Sequence, residues 1–283
     1  PYLWFPIPGV QTLNFKPYRV DLTPFAAVLA NGGSHTIAFS VDNADNYFQG
    51  FATLFAYIDR SSKRVTGGLS RDTLVANPQP TVVKHLSGAA PSTDGTIAVS
   101  DARYYTIEGY RNTPNGRVTT TLTSSVDFAN LQTYSNESAT TGTLAVRQAT
   151  TDLTTVVTRS PSGVSVRKSY VSYPLFVSLA LVLDGTGTGT QVATIDQRYI
   201  AEHEQTGPGV FFRDYESNEV TPTDTLDILD DEYITGNADQ KSAQTYVAED
   251  SLGHCYAQRI EAANNAVKSV TNGHCNFSEV GKP

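Results

Sequence analysis

Residues 42–48, Asp-Asn-Ala-Asp-Asn-Tyr-Phe, set two carboxylates and two carboxamides beside two aromatic rings. Asp and Asn side chains satisfy nearby backbone groups, so such a run is first of all a turn. The same groups can also hold the hydroxyls of a sugar, while rings like Tyr47 and Phe48 pack under its C–H faces. Trp4 and Phe5, near the start of the chain, offer two more rings. The stretch is therefore either a turn between strands or the edge of a site for a polar ligand.

Other residues of chemical interest fall into smaller groups. Glu108, in Tyr-Thr-Ile-Glu-Gly-Tyr (105–110), puts a carboxylate inside an apolar alternation. It needs a partner or a purpose, unless it lies on the wet face of an exposed strand. No Gly-x-Ser-x-Gly elbow marks a nucleophile, and the five histidines show no spacing that singles out a base. His203, in Ala-Glu-His-Glu-Gln, lacks the second histidine of a zinc-protease helix and reads as a surface loop. Asp224, Asp227, Asp230, Asp231 and Glu232 lack the glycine and spacing of a calcium loop and read as a solvated acidic loop. Gly185, Gly187 and Gly189 precede a strand-like segment rather than a helix, so they mark a hairpin rather than a phosphate loop. Paired carboxylates dividing acid and base roles remain a route to hydrolysis.

Cys255 and Cys275 sit in near-copies of one phrase, Gly-His-Cys. A hairpin turning at Asn264–Asn265 would bring the two sulfurs together as a disulfide, which implies an oxidising compartment. A tetrahedral metal site of His254, Cys255, His274 and Cys275 is the alternative. Asn136 and Asn276 begin Asn-x-Ser sequons, whereas Asn112 is spoiled by Pro114. Both features suit a secreted protein.

The elements that must position these groups are strands. Thr, Ser, Gly and Tyr are plentiful, charged residues are 17%, and the net charge of −8 lacks any long basic run, which argues against nucleic acid or an anionic membrane surface as partner. The most apolar run, 176–183, has the length of a buried strand rather than a membrane span. Period-two alternation predicts strands around 36–41, from 51, and at 97–99, 103–110, 117–125, 165–173, 175–183, 191–199 and 246–248. Asn-Thr-Pro-Asn-Gly (112–116) and Asp-Gly-Thr-Gly-Thr-Gly (184–189) predict hairpin turns. Only 23–33 predicts a helix, with Thr23 as cap and Pro24 in the first turn. Residues 1–66 read as part of a first domain, 67–95 as a linker or covering loop, and 96–283 as a second β domain. The absence of Met, the start at Pro1 and the small first segment lead to the expectation of a processed precursor whose earlier part completes the first sheet.

Residues 1–59 resemble the peptide-N-glycosidase A family, through Trp4 with Pro6 and Gly9, the Tyr18–Phe25 run, His35, Asn43–Ala44 and the segment ending at Asp59. Residues 105–122 and the late cysteine-bearing hairpin add to the likeness. The resemblance implies an all-β protein of jelly-roll-like sandwiches, and hydrolysis of the amide joining N-acetylglucosamine to asparagine without metal or organic cofactor. It also implies an N-terminal partner chain from the same precursor that pairs strands with residues 1–60 and carries the main catalytic carboxylate. Within this chain the expectation is that Asn43 and Asn46 contact the chitobiose and that Trp4 forms a stacking wall. Asp45 and Glu108 are the candidate acids. A non-catalytic secreted carbohydrate-binding module is the alternative, and a glutamic-type acid protease comes third.

Overall fold

The computed structural model describes residues 16–38, 50–57, 65–75, 79–89, 92–136, 138, 140–230, 232–264 and 266–275. The all-β expectation holds. Among the described residues, twelve strands join in one antiparallel sheet: β1 (Thr66–Asp72), β2 (Thr81–Ala89), β3 (Ser92–Thr113), β4 (Gly116–Asn136), β5 (Thr141–Ser160), β6 (Gly163–Ser172), β7 (Leu175–Leu183), β8 (Gly189–Gly207), β9 (Val210–Leu229), β10 (Glu232–Asp250), β11 (Cys255–Ala263) and β12 (Ala266–Asn272). From β3 onward each strand pairs with the next along the chain except β6 with β7, so the described strands form a meander without the Greek-key crossing of a jelly roll. β6 and β7 are two halves of one long strand, interrupted at Tyr173–Pro174, and both halves lie between β5 and β8. Pro174 has no N–H for the ladder, which accounts for the break.

The strands are long. β3 has 22 residues, about 70 Å of extended chain. Alternation at 97–99 and at 103–110, read as two strands, belongs to this single one. Residues 67–95, read as connection, contain β1 and β2, which pair with the two halves of β3. Their sequences hid this because β2 is exposed on both faces, leaving no alternation to detect. In the opposite sense, 35–38 and 50–57 were expected as strands but have no strand pairing, and Phe51, Leu54, Phe55 and Tyr57 are exposed.

Directly paired residues point to the same side of a sheet, so the register assigns faces. Ile107, Leu122 and Val156 line one face of β3, β4 and β5, and Tyr199, Ala201, Val220, Leu226 and Ile228 continue it on β8 and β9. All are buried, and this is the covered face. A short turn of 3-10 helix (Thr23–Phe25) leads into α1 (Ala26–Leu29); the helix packs against β1 and β3, and the turn reaches β4 as well. Thr23 does not cap it with its side chain; Asp21 instead accepts a hydrogen bond from the Thr23 amide at 2.8 Å.

The predicted hairpins at 113–116 and 184–189 are present. Three turns at one end of the sheet place Pro114, Pro161 and Pro208 side by side. A β-carbon at Gly116 would lie 2.8 Å from the Pro161 ring, and one at Gly163 would lie 2.7 Å from the Pro208 ring. Both glycines also have positive φ, so each is required twice over.

Candidate functional site

Trp4, Asn43, Asp45 and Asn46 lie outside the described residues, as does Asn276. Asn136 ends β4, where its side-chain amide donates to the Thr93 carbonyl at 3.0 Å. Cys255 and Cys275 form a disulfide with Cα atoms 5.9 Å apart. That removes the metal alternative, because both thiols are spent on each other. Among the described residues, no three His, Cys, Asp or Glu side chains converge as a metal site.

Glu108 has partners. Its carboxylate accepts hydrogen bonds from Ser70 Oγ at 2.7 Å and Thr121 Oγ1 at 2.9 Å. These hold the carboxyl below the usual Glu range, with help from the charges of Arg159 and Arg71. A carboxylate held so readily ionised is a weak proton acceptor. It ties β1 to β3 and β4 on the uncovered face.

The densest gathering of reactive side chains is elsewhere, on the covered face near the β8–β9 turn. Pairing places His203 opposite Asp214, and Asp214 opposite Asp250. Two residues along from Asp214, Glu216 points to the same side. His203 Nδ1 lies 3.1 Å from Asp214 Oδ2, and His254 Nδ1 lies 2.7 Å from Asp250 Oδ2. Two carboxylates directly opposite across strands repel, and here each has a histidine at hand to neutralise it when protonated.

Glu216 sits among tyrosines. The Tyr246 hydroxyl donates to its Oε1 at 3.1 Å, and Lys16 Nζ pairs with its Oε2 at 3.1 Å. Tyr18, Tyr173 and Tyr199 form a chain of rings, with centroids 6.1 and 5.4 Å apart, while Tyr246 and Tyr256 meet edge-on at 5.8 Å. The segment bearing Lys16, Tyr18 and Asp21 crosses this face and ends in an ion pair between Asp21 and Arg167 of β6. Burial, then the Glu216 charge, pushes the Tyr246 hydroxyl up to about 12. Burial and the charges of Glu216 and Asp214 raise Tyr199 as well. Both phenols are therefore neutral hydrogen-bond donors at any ordinary pH. Asp250 is shifted the other way, held below the usual Asp range first by its hydrogen bond with His254.

The sequence reading missed this face. His203 was expected in a surface loop, yet it is the next odd position of a strand whose Ala193, Ile195, Tyr199 and Ala201 are buried. Following that period two residues further would have placed it. Nothing in the sequence joins Lys16 to Glu216, 200 positions apart. The acidic stretch 224–232 is corrected too: β9 continues to Leu229, and Asp224 is 1% exposed.

An all-β protein with carboxylates, phenols and imidazoles on one sheet face suits a polar, hydroxyl-rich ligand. Residues 1–72 match the family described as peptide N-acetyl-beta-D-glucosaminyl asparaginase amidase A. A peptide-N4-(N-acetyl-beta-glucosaminyl)asparagine amidase A of Prunus dulcis is 24% identical over 208 residues, 73% of this chain and 35% of that protein. The chain thus spans about a third of the length of this curated relative. No solved structure matches. The peptide-N-glycosidase A resemblance read from residues 1–59 stands at the level of the family.

Proposed function

We propose that this chain is part of a peptide-N-glycosidase, an amidase that hydrolyses the bond between N-acetylglucosamine and asparagine and leaves aspartate in the peptide. The observation that carries this reading is the family match over residues 1–72, the region that holds Trp4, Asn43, Asp45 and Asn46. Amide hydrolysis without a nucleophilic thiol needs a carboxylate to activate water and donors for the developing oxyanion. Both cysteines here are disulfide-bonded, so neither supplies a thiol nucleophile, which favours the carboxylate route.

A partner segment from the same precursor belongs to the proposal. It is supported by the share of the relative's length that the chain covers and by the exposed rings of Phe51, Phe55 and Tyr57 in a segment whose alternation suits a strand. Secretion is supported by the disulfide. No helix among the described residues is long and apolar enough to cross a membrane.

Incubating the protein with an N-glycopeptide under mildly acidic conditions tests the activity. Release of the intact glycan together with conversion of Asn to Asp, read by mass spectrometry, is the expected result. Binding without any change of mass would instead establish a non-catalytic carbohydrate module, and cleavage of the peptide backbone would establish a protease.

A further inference from the structure

The strand residues of the tyrosine face, Tyr173, Tyr199, Glu216, Tyr246 and Tyr256, lie beyond the family match over residues 1–72, and only Lys16 and Tyr18 fall within it. Tyr18 is 82% exposed and Tyr256 is 52% exposed, so rings at both ends of the cluster offer open faces. Between them lie the half-buried Tyr173 and Tyr246 and the carboxylate of Glu216. Tyr173, at the break between β6 and β7, is followed across the sheet by the neighbouring strands that carry Tyr199, Glu216, Tyr246 and Tyr256, so the platform spans four strand spacings, about 19 Å.

The charges narrow the ligand. Three carboxylates, Glu216, Asp214 and Asp250, face one ammonium, that of Lys16, and the imidazoles of His203 and His254. An anionic ligand would be repelled. A ligand cation would suit an aromatic cage with a carboxylate, but that place is filled by Lys16 at 3.1 Å from Glu216. What the face offers is ring surface for C–H groups, carboxylate oxygens for hydroxyl or acetamido N–H donors, and phenols that remain donors. Those are the needs of a neutral sugar bearing an N-acetyl group.

We propose that the covered face bounded by Tyr18, Tyr173, Tyr246 and Tyr256, with Glu216 at its centre, binds the N-acetylhexosamine part of a glycan. The choice of ligand rests on the amidase reading above, whereas the location rests on the geometry alone. Glu216 accepts from the acetamido N–H or a ring hydroxyl, and Tyr18 and Tyr256 pack against the sugar faces.

Titration of the protein with N,N′-diacetylchitobiose, followed by saturation-transfer NMR and calorimetry, tests it. The expected result is saturable binding that Tyr18→Ala, Tyr256→Ala and Glu216→Gln each weaken about tenfold or more, with circular dichroism and melting temperature retained for the two exposed tyrosine variants. Choline at equal concentration leaves the binding unchanged. Absence of binding, equal binding by Tyr18→Ala and Tyr256→Ala, or displacement by choline overturns the proposal. Glycopeptide turnover separates the two readings. Turnover whose KM does not respond to either tyrosine variant removes the site and leaves the amidase; chitobiose binding that the variants abolish, without any turnover, removes the amidase and leaves the site.

Discussion

Asp224 shows how one side chain can set a pH dependence. It lies on the covered face of β9, paired with Ala193 and Gln240, and it is 1% exposed. The Gln240 amide is close enough to ease its ionisation, yet neither oxygen meets hydrogen-bond geometry, so burial wins and the carboxyl is raised above the Asp range, with the Asp239 charge adding to the shift. The sign follows from linkage. The fold favours the neutral acid, so its contribution is whole below the unfolded carboxyl value of about 3.9 and is lost as pH climbs through the raised folded value. Asp224→Asn keeps the shape and removes the charge. It should raise the melting temperature at neutral pH and flatten the decline in stability from about pH 4 upward, as calorimetry across that range would show. Asp250, Asp184 and Glu261 are shifted downward by their hydrogen bonds, so they act in the opposite direction and weaken the fold only in strong acid. A variant that lowered stability at neutral pH would mean that the Asp224 carboxylate is ionised and paired in the fold.

At the scale of elements, much was legible because the sequence repeats a simple period. Leu175–Leu183 was read to the residue, and the Asn-Thr-Pro-Asn-Gly turn sits where its proline and glycine demand. Strand lengths were not legible: β3 and β4 carry polar or exposed positions in their outer halves, and there the apolar alternation fades although the pairing continues. The disulfide was legible from a repeated phrase, whereas the tyrosine face was not, since its residues come from five strands and a crossing segment. The row of hairpin prolines makes a specific demand. Gly163→Ala forces a β-carbon against the Pro208 ring at a φ of +132°. It should cost about 1–3 kcal/mol in urea unfolding, the range for overpacking a tight contact. Pairing it with Pro208→Ala should recover only part of that loss, because the backbone strain remains; full recovery would show that the ring contact alone matters.

For the whole molecule, the order of strands matters more than any one contact. The β11–β12 hairpin at one edge is closed by Cys255–Cys275, and its disulfide spans a separation of 20 residues. Cross-linking a loop of that size contributes about 3 kcal/mol by restricting the unfolded chain. Cys275→Ser should therefore lower amide protection in β11 and β12, measured by hydrogen exchange, while β4, β5 and β8 keep theirs. Loss of protection across all strands together would show that the sheet unfolds only as one unit.

The meander has a further consequence. Because nearly every strand from β3 onward rests on its immediate predecessor, the chain never has to hold one strand waiting for a distant mate. Pairing partners are sequential neighbours despite the all-β character, which lowers the entropy lost in closing loops and quickens assembly relative to interleaved β folds. The sheet can lengthen hairpin by hairpin as the polypeptide leaves the ribosome, with each finished ribbon serving as the template for the next. The exception is the crossing segment at Lys16–Asp21, made early but seated only when β6 and β9 exist. Its docking therefore waits until the growing sheet has reached β9.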